Sequence, residues 1–472
     1  MKKGQRQRVD LVCHYCTSIF LYSIKGTTRI QKRLETDMDR YYKREALWKK
    51  ETAGKRFFAL LLSLNLLVLT CSGCSLIGKN EDVEYEPPAT TDGQTTEEPE
   101  VVGMSEEDAT YASLDYMEDM TLEEKVGQLF VVNLEQLDAS KGDYYEHQKI
   151  TKAMKESLSK YPVGGVILFS RNIHKRKQTK ELIRKLQKNS KTSLFVSVDE
   201  EGGDVARVGN NPDMKTTSFP TMEEIGSTQD GDYVYEMAST IGEQIGELGF
   251  NVDFAPVADV KTSELNQEIG SRSFGDDPEK VAKFVSAYVK GLESKDICAT
   301  LKHFPGQGSA SGDTHQGSVD IDSSIASLRK TDFVPFESGI EAGADFIMVS
   351  HISVSKVTET SEPASMSKLV MTTILREELD YKGLIITDAF DMASITKYYS
   401  AGEAATGAFE AGADIILMPQ DLPEAYNAIL DKVKSGDISE KRLNDTVQRI
   451  LQLKYQKGIM SLTDTTKISN SP

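Results

Sequence analysis

The sequence predicts an α/β fold, a (β/α)8 TIM-type barrel making up one folded domain, and three observations carry that expectation. Short apolar runs recur eight times between residues 126 and 417. Segments with helical spacing separate most of them. The polar residues capable of chemistry gather just after the runs, where a barrel of alternating strands and helices keeps its functional groups.

In chain order, Thr121-Leu122-Glu123-Glu124 is a capping box that opens a helix, and the first run, 126–132, follows it. The remaining runs are 163–169, 194–198, 250–257, 297–301, 346–349, 384–386 and 415–417. The run at 297–301 reads as a buried strand of a parallel sheet. It leads into the stretch 302–315, whose Gly, Ser and Pro suit neither helix nor strand. Residues 179–186 and 281–292 have the spacing of helices between strands. Ser439 can cap a last helix whose Leu443, Val447, Ile450 and Leu451 form one apolar stripe. A doubly wound open sheet is the alternative. It would favour a Gly-rich phosphate loop after the first strand, and Asn133-Leu134-Glu135 is not one.

The parts outside the barrel have a different character. Residues 57–70 are continuously apolar, follow Lys49, Lys50, Lys55 and Arg56, and have the length of a signal-peptide core. They end in Cys71-Ser72-Gly73-Cys74, which resembles a bacterial lipobox. Cys74 is the expected lipidation site and Cys71 the alternative; an uncleaved anchor helix is the other reading of the run. Met38 is an alternative start of translation. Residues 1–74 are thus read as an N-terminal extension and signal peptide. Residues 75–105 are an acidic flexible linker, too poor in large apolar side chains to offset ordering entropy. Residues 106–462 are the barrel and 463–472 a polar tail. Each reading of the apolar run places the barrel outside the cytoplasmic membrane, held there by its anchor.

The net charge of −18 speaks against nucleic-acid binding, which wants a basic face. Cys13-His14-Tyr15-Cys16 is a lone CxxC without a partner pair, and Cys298 sits inside an apolar run as a small buried side chain would. No metal and no cofactor is expected.

The ends of the runs offer a consistent chemistry. After the third come Asp199-Glu200-Glu201-Gly202-Gly203 and Arg207. Near the fourth are Asp253, Asp259 and then Arg272. After the fifth come Lys302, His303, Asp313 and His315. The sixth is followed by His351, the seventh by Asp388 and the eighth by Met418. One rim would therefore gather acids, two Arg, a Lys and several His, a pocket suited to a neutral ligand rich in hydroxyls.

Several spaced motifs make the resemblance specific: residues 119–129 (DMTLEEKVGQL), 253–260 (DFAPVADV), 272–277 (RSFGDD), 302–306 (KHFPG), 312–315 (GDTH) and 386–392 (ITDAFDM). Over about 106–460 the chain resembles glycoside hydrolase family 3, most of all its NagZ-type branch of bacterial β-N-acetylglucosaminidases. That resemblance implies a retaining exo-β-N-acetylhexosaminidase, acting on an N-acetylglucosamine-containing glycan or muropeptide. Asp388 matches the family nucleophile, and Asp313 with His315 matches an acid/base pair in which an imidazole near its reference pKa of about 6.5 replaces the usual second carboxylic acid. Asp199, Arg207, Arg272, Lys302 and His303 match sugar ligands, and His351 and Met418 match pocket-lining positions. Gln307 stands where the family often has His and is expected to pack the loop. A monomer is expected. The alternatives are a phosphorylase or β-glucosidase of the same family and, from another class, a non-catalytic muropeptide-binding lipoprotein. A metal-dependent barrel hydrolase would want an His-x-His or a similar short-spaced set, which is lacking.

Overall fold

The computed structural model describes residues 103–462 apart from 264 and 311. Cys74, Cys71, the apolar run at 57–70, the CxxC of Cys13 and Cys16, nearly all of the acidic linker and the polar tail lie outside the described residues. Among the described residues no helix is long and apolar enough to cross a membrane.

Among the described residues there are ten strands: β1 (Phe130–Val132), β2 (Gly165–Ile167), β3 (Phe195–Val198), β4 (Glu200–Gly202), β5 (Val205–Ala206), β6 (Val252–Asp253), β7 (Cys298–Phe304), β8 (Phe346–Val349), β9 (Leu384–Thr387) and β10 (Ile416–Leu417). Eight of them form one sheet in the order β10-β1-β2-β3-β6-β7-β8-β9, with every pairing parallel. A parallel bridge from Ile386 to Ile415 joins the two edges, and the sheet closes into a (β/α)8 barrel. The other two, β4 and β5, form an antiparallel hairpin just beyond the end of β3.

Helices return the chain between strands as the fold requires, among them Arg176–Asn189, Gly231–Gly246, Pro278–Glu293 and Ala401–Ala411. Their starts follow local chemistry. Thr121 makes the expected capping box with Glu124. Asp277 caps Pro278–Glu293, where the proline occupies the first turn and forgoes an amide that would have no partner. Ser439 caps Glu440–Gln456, with Leu443, Val447, Ile450 and Leu451 buried. Asn133 caps a short helix, Leu134–Leu137, in place of any phosphate loop.

Of the strand limits that differ from the expected ones, two shape the site. The run 250–257 yields only Val252–Asp253 as regular strand, because Pro256 has no amide to give the ladder; pairing resumes at Val257, bridged to Lys302. Conversely, β7 does not stop at Leu301 but runs on to Phe304, taking Lys302 and His303 into the barrel wall. Its register against β8 shifts between Lys302 and Phe304. The chain then leaves the wall at Gly306, whose φ of 118° suits glycine and whose missing Cβ would stand 2.5 Å from the Asp332 Cβ.

Candidate active site

The extension of β7 sets the floor of a cavity of about 410 Å³ at the C-terminal rim. Lys302 is buried and its Nζ lies 2.9 Å from Asp199 Oδ1 and 2.6 Å from Glu201 Oε1. Glu201 also takes Arg272 in a bidentate pair, 2.9 Å to Nε and 2.7 Å to Nη2. Burial alone would raise the Glu201 pKa, but Arg272 and Lys302 outweigh it and hold the carboxyl well below the usual range. Burial likewise opposes the charge on Lys302, and Asp199 and Glu201 outweigh it. Two acids against two bases leave this floor neutral, which suits an uncharged ligand contacted through hydroxyls.

His303 is oriented from behind. Asp259 Oδ2 lies 2.8 Å from its Nδ1 and takes its backbone N–H at 3.2 Å, while Oδ1 accepts the Gln307 N–H at 2.6 Å. One buried carboxylate thus fixes both the imidazole and the first turn of the following loop. Arg207 reaches the cavity from the β4–β5 hairpin, 3.8 Å from Asp199. That hairpin is held by Glu200, which accepts from Val208 N–H at 2.7 Å and Gly209 N–H at 2.6 Å. Burial pushes the Glu200 carboxyl up to about 7 against those two bonds.

Asp388 follows β9 and lines the same cavity. Its N–H donates to Val349 O at 2.9 Å, and its Oδ1 accepts the Ala389 N–H at 2.7 Å. Among the described residues no ion pair engages it, which leaves the carboxylate open toward the cavity. Met418 forms part of the wall with a left-handed φ of 47°, a conformation that costs a non-glycine residue and recurs at ligand sites. His351 departs from expectation. It is 1% exposed and does not line the cavity. Its Nδ1 lies 2.8 Å from Ser365 Oγ and its Nε2 2.9 Å from Ala389 O, so both nitrogens are engaged, and the Nε2 contact braces the turn that carries Asp388. Burial lowers its pKa.

His315 and Asp313 stand on the loop after β7, across the cavity. His315 Nδ1 lies 2.9 Å from Asp313 Oδ1, and the side chain is 64% exposed. A third group joins them. Glu268 Oε1 lies 3.4 Å from the same Nδ1, and its carboxylate also takes the Thr314 N–H at 2.9 Å and hydroxyl at 2.6 Å. Two carboxylates facing Nδ1 put the proton on that nitrogen and leave Nε2 for a substrate. The hydrogen bond to Glu268, with that to Asp313, lifts the His315 pKa to about 9, well above the reference value expected from the sequence.

The comparisons with known proteins bear on this geometry. The Glycosyl hydrolase family 3 N terminal domain matches residues 121–453. The chain belongs to glycosyl hydrolase family 3. It is 36% identical over 329 residues to beta-hexosaminidase A of Pseudoalteromonas piscicida, a match covering 64% of this chain and 54% of that protein; the chain thus spans about half of that relative. It is 32% identical over 289 residues to a beta-hexosaminidase of Stenotrophomonas maltophilia (strain K279a), covering 60% of this chain and 84% of the relative. Among solved structures, a glycoside hydrolase family 3 beta-N-acetylglucosaminidase from Paenibacillus sp. str. FPU-7 matches with a TM-score of 0.67 and 31% identity, covering 74% of this chain and 68% of that one.

In this family 3 barrel Asp199, Arg207, Arg272, Lys302, His303, His315, Asp388 and Met418 line one cavity, while His351, Asp253 and Asp259 lie behind its wall and Asp313 meets it only through His315. Three carboxylates that line the cavity were missed, Glu201, Glu268 and Asp391. Glu201 could have been found: in an extended chain residues two apart share a face, so Glu201 accompanies Asp199. Glu268 carries a weaker signal, a carboxylate four residues before Arg272 in the same connection. Glu268, Asp313 and His315 also hold potential ligand atoms within 4.8 Å of one another. Hydrogen bonds on Nδ1 account for that closeness without an ion.

Proposed function

We propose that this chain is a retaining exo-β-N-acetylhexosaminidase that removes terminal β-linked N-acetylglucosamine from peptidoglycan fragments. One observation carries the reading: a single cavity holds the unneutralised Asp388, the neutral polar floor of Asp199, Glu201, Lys302 and Arg272, and the His315 imidazole. The beta-hexosaminidase relatives support the substrate class. In the first half-reaction Asp388 bonds to the anomeric carbon as His315 Nε2–H protonates the departing oxygen. In the second, Nε2 takes a proton from water as the water oxygen displaces Asp388. Arg207, Arg272, Lys302, His303 and Asp199 hold the sugar hydroxyls. Lipidation at Cys74 and an extracytoplasmic position extend the same reading to the wall.

The test is nitrophenol release from the β-N-acetylglucosaminide and the β-glucoside by wild type, Asp388→Ala and His315→Ala. Turnover of the acetamido substrate, lost in both variants, is expected. No turnover of either substrate, with muropeptide still bound, would return the binding-protein reading. The raised pKa of His315 favours one variant within the enzymes, a phosphorylase, because an imidazolium does not repel phosphate as a carboxylate would. Product analysis with and without phosphate separates the two: free N-acetylglucosamine in both cases is the hydrolase result.

A further inference from the structure

The loop that carries Asp313 and His315 is fastened at two points by one neighbouring segment. At its root, Asn266 Nδ2 donates to Gln307 O at 2.7 Å. At its tip, Glu268 takes the Thr314 N–H and hydroxyl and faces His315 Nδ1. The root is buried and closely packed; a Cβ on Gly308 would stand 1.9 Å from Val260 O. The tip is different. Gly312, His315, Gln316 and Ser318 are exposed, while Thr314, which holds Glu268, is buried. Besides Glu268, the tip is tied through Lys397 Nζ to Gln316 O at 2.6 Å, a flexible cation on a backbone carbonyl. Of these two ties from outside the loop, the one through Glu268 reaches the imidazole itself.

We propose that Glu268 is the positioning residue of the acid/base pair: its carboxylate seats the loop tip through Thr314 and shares the His315 Nδ1 proton with Asp313, so that Nε2 is aimed at the glycosidic oxygen. The segment is linked in turn to the sugar floor, since Arg272 Nη1 donates to Glu268 O at 3.2 Å while its other nitrogens hold Glu201. The group that binds the sugar and the group that aims the acid therefore move on one short stretch of backbone. Asp313 alone could not do this, because it sits on the same loop as His315 and would travel with it. A carboxylate from a second element fixes the imidazole relative to Asp388, and sub-ångström placement is worth orders of magnitude in rate.

This inference rests on the acid/base reading of His315, and the experiment separates the two. Glu268→Ala, His315→Ala and the double variant are assayed for kcat/KM on two substrates. One is the β-linked disaccharide of N-acetylglucosamine, whose leaving group needs a proton. The other is the dinitrophenyl β-N-acetylglucosaminide, whose leaving group departs without one. Glu268→Ala is expected to lower kcat/KM on the disaccharide by about ten- to a hundred-fold, within the range that general acid catalysis supplies, and to leave the dinitrophenyl substrate within about three-fold. In the His315→Ala background its loss should add little, the mark of two residues acting as a unit. Equal losses on both substrates would make Glu268 a merely structural or sugar-binding residue and overturn the proposal, as would no loss on either. If His315→Ala itself shows no leaving-group dependence, the acid/base reading falls and this proposal with it. If His315→Ala shows it and Glu268→Ala does not, only the role of Glu268 falls.

Discussion

The two ends of the barrel use the same ingredients, carboxylates among Arg and Lys, to opposite effect. At the N-terminal end Asp414, fully buried just before β10, is met by Arg376 at 2.6 Å, Arg449 at 2.7 Å and the Ile385 N–H at 3.0 Å. Arg376 also donates to Tyr381 O and Gly383 O, and Arg442, 3.9 Å from Asp414, to Phe409 O and Ala413 O. Burial opposes the charge on Asp414, but the three guanidinium groups outweigh it and lower its pKa. Every charge there ends on protein, and the cluster ties together the helices that contribute Arg376, Arg442 and Arg449. At the C-terminal end Glu201 is likewise closed on Arg272 and Lys302, but two groups are left open. Asp388 has one backbone amide, and His315 has Nδ1 occupied and Nε2 without a partner among the described residues. What separates a clasp from a reaction site is thus not residue type but whether the polar partners are closed within the chain or left for a ligand.

That contrast predicts which property each substitution will cost. Asp388→Ala should lower kcat by about ten-thousand-fold or more, the scale on which loss of a nucleophile acts, with the thermal midpoint little changed. A midpoint falling by tens of degrees would show that Asp388 belongs to the framework. At the other end, Asp414→Ala leaves three guanidinium groups facing one another. It should cost about 3–5 kcal/mol, as breaking a buried ion pair does, while the folded fraction keeps its kcat. Urea unfolding beside a single-concentration assay would show both. A variant as stable as wild type would mean that the backbone carbonyls alone satisfy the arginines.

How the sequence carries these two ends differs as well. The fold was legible because apolar runs and helical spacing repeat on a local scale, and the rim was legible because residues just past a strand end face one way. Asp199, Lys302, His303 and Asp388 were found by that rule. It failed for His351, which occupies a strand end but lies where Ser365 and Ala389 O absorb both nitrogens. It failed for Glu268, which arrives from an irregular segment whose path no periodicity describes. The Asp414 clasp was invisible for the same reason: its arginines lie 38, 28 and 35 residues away, Arg376 on one helix and Arg442 and Arg449 on another, and only the closed barrel brings them together.

A smaller effect sharpens the comparison at the open end. In the proposed mechanism His315 acts first as an acid, so the protonated form is the competent one, and kcat/KM should fall as pH rises through the folded pKa of about 9. Removing one of the two carboxylates on Nδ1 weakens the hold on the cation. In Glu268→Gln the basic limb should move down, toward the ordinary imidazole value of about 6.5. The pH profile of the free enzyme reads this directly. A limb that stays near 9 in the variant would assign the whole shift to Asp313.

The smallest effect is expected at Gln307, although it lies on the same loop and is as buried as the residues around it. Its contributions come from the backbone: its N–H goes to Asp259 at 2.6 Å, and its carbonyl takes Asn266 at 2.7 Å. Alanine keeps both. The side chain brings a buried Oε1 that has no partner among the described residues, so truncation removes an unsatisfied acceptor as well as packing, two terms of opposite sign. Gln307→Ala should therefore change kcat/KM by less than about three-fold, against the hundred- to ten-thousand-fold that loss of a general acid entails for His315→Ala. A loss at Gln307 as large as that at His315 would mean that its amide works on the leaving-group side. The line between framework and chemistry would then run inside the loop root rather than at its exposed tip.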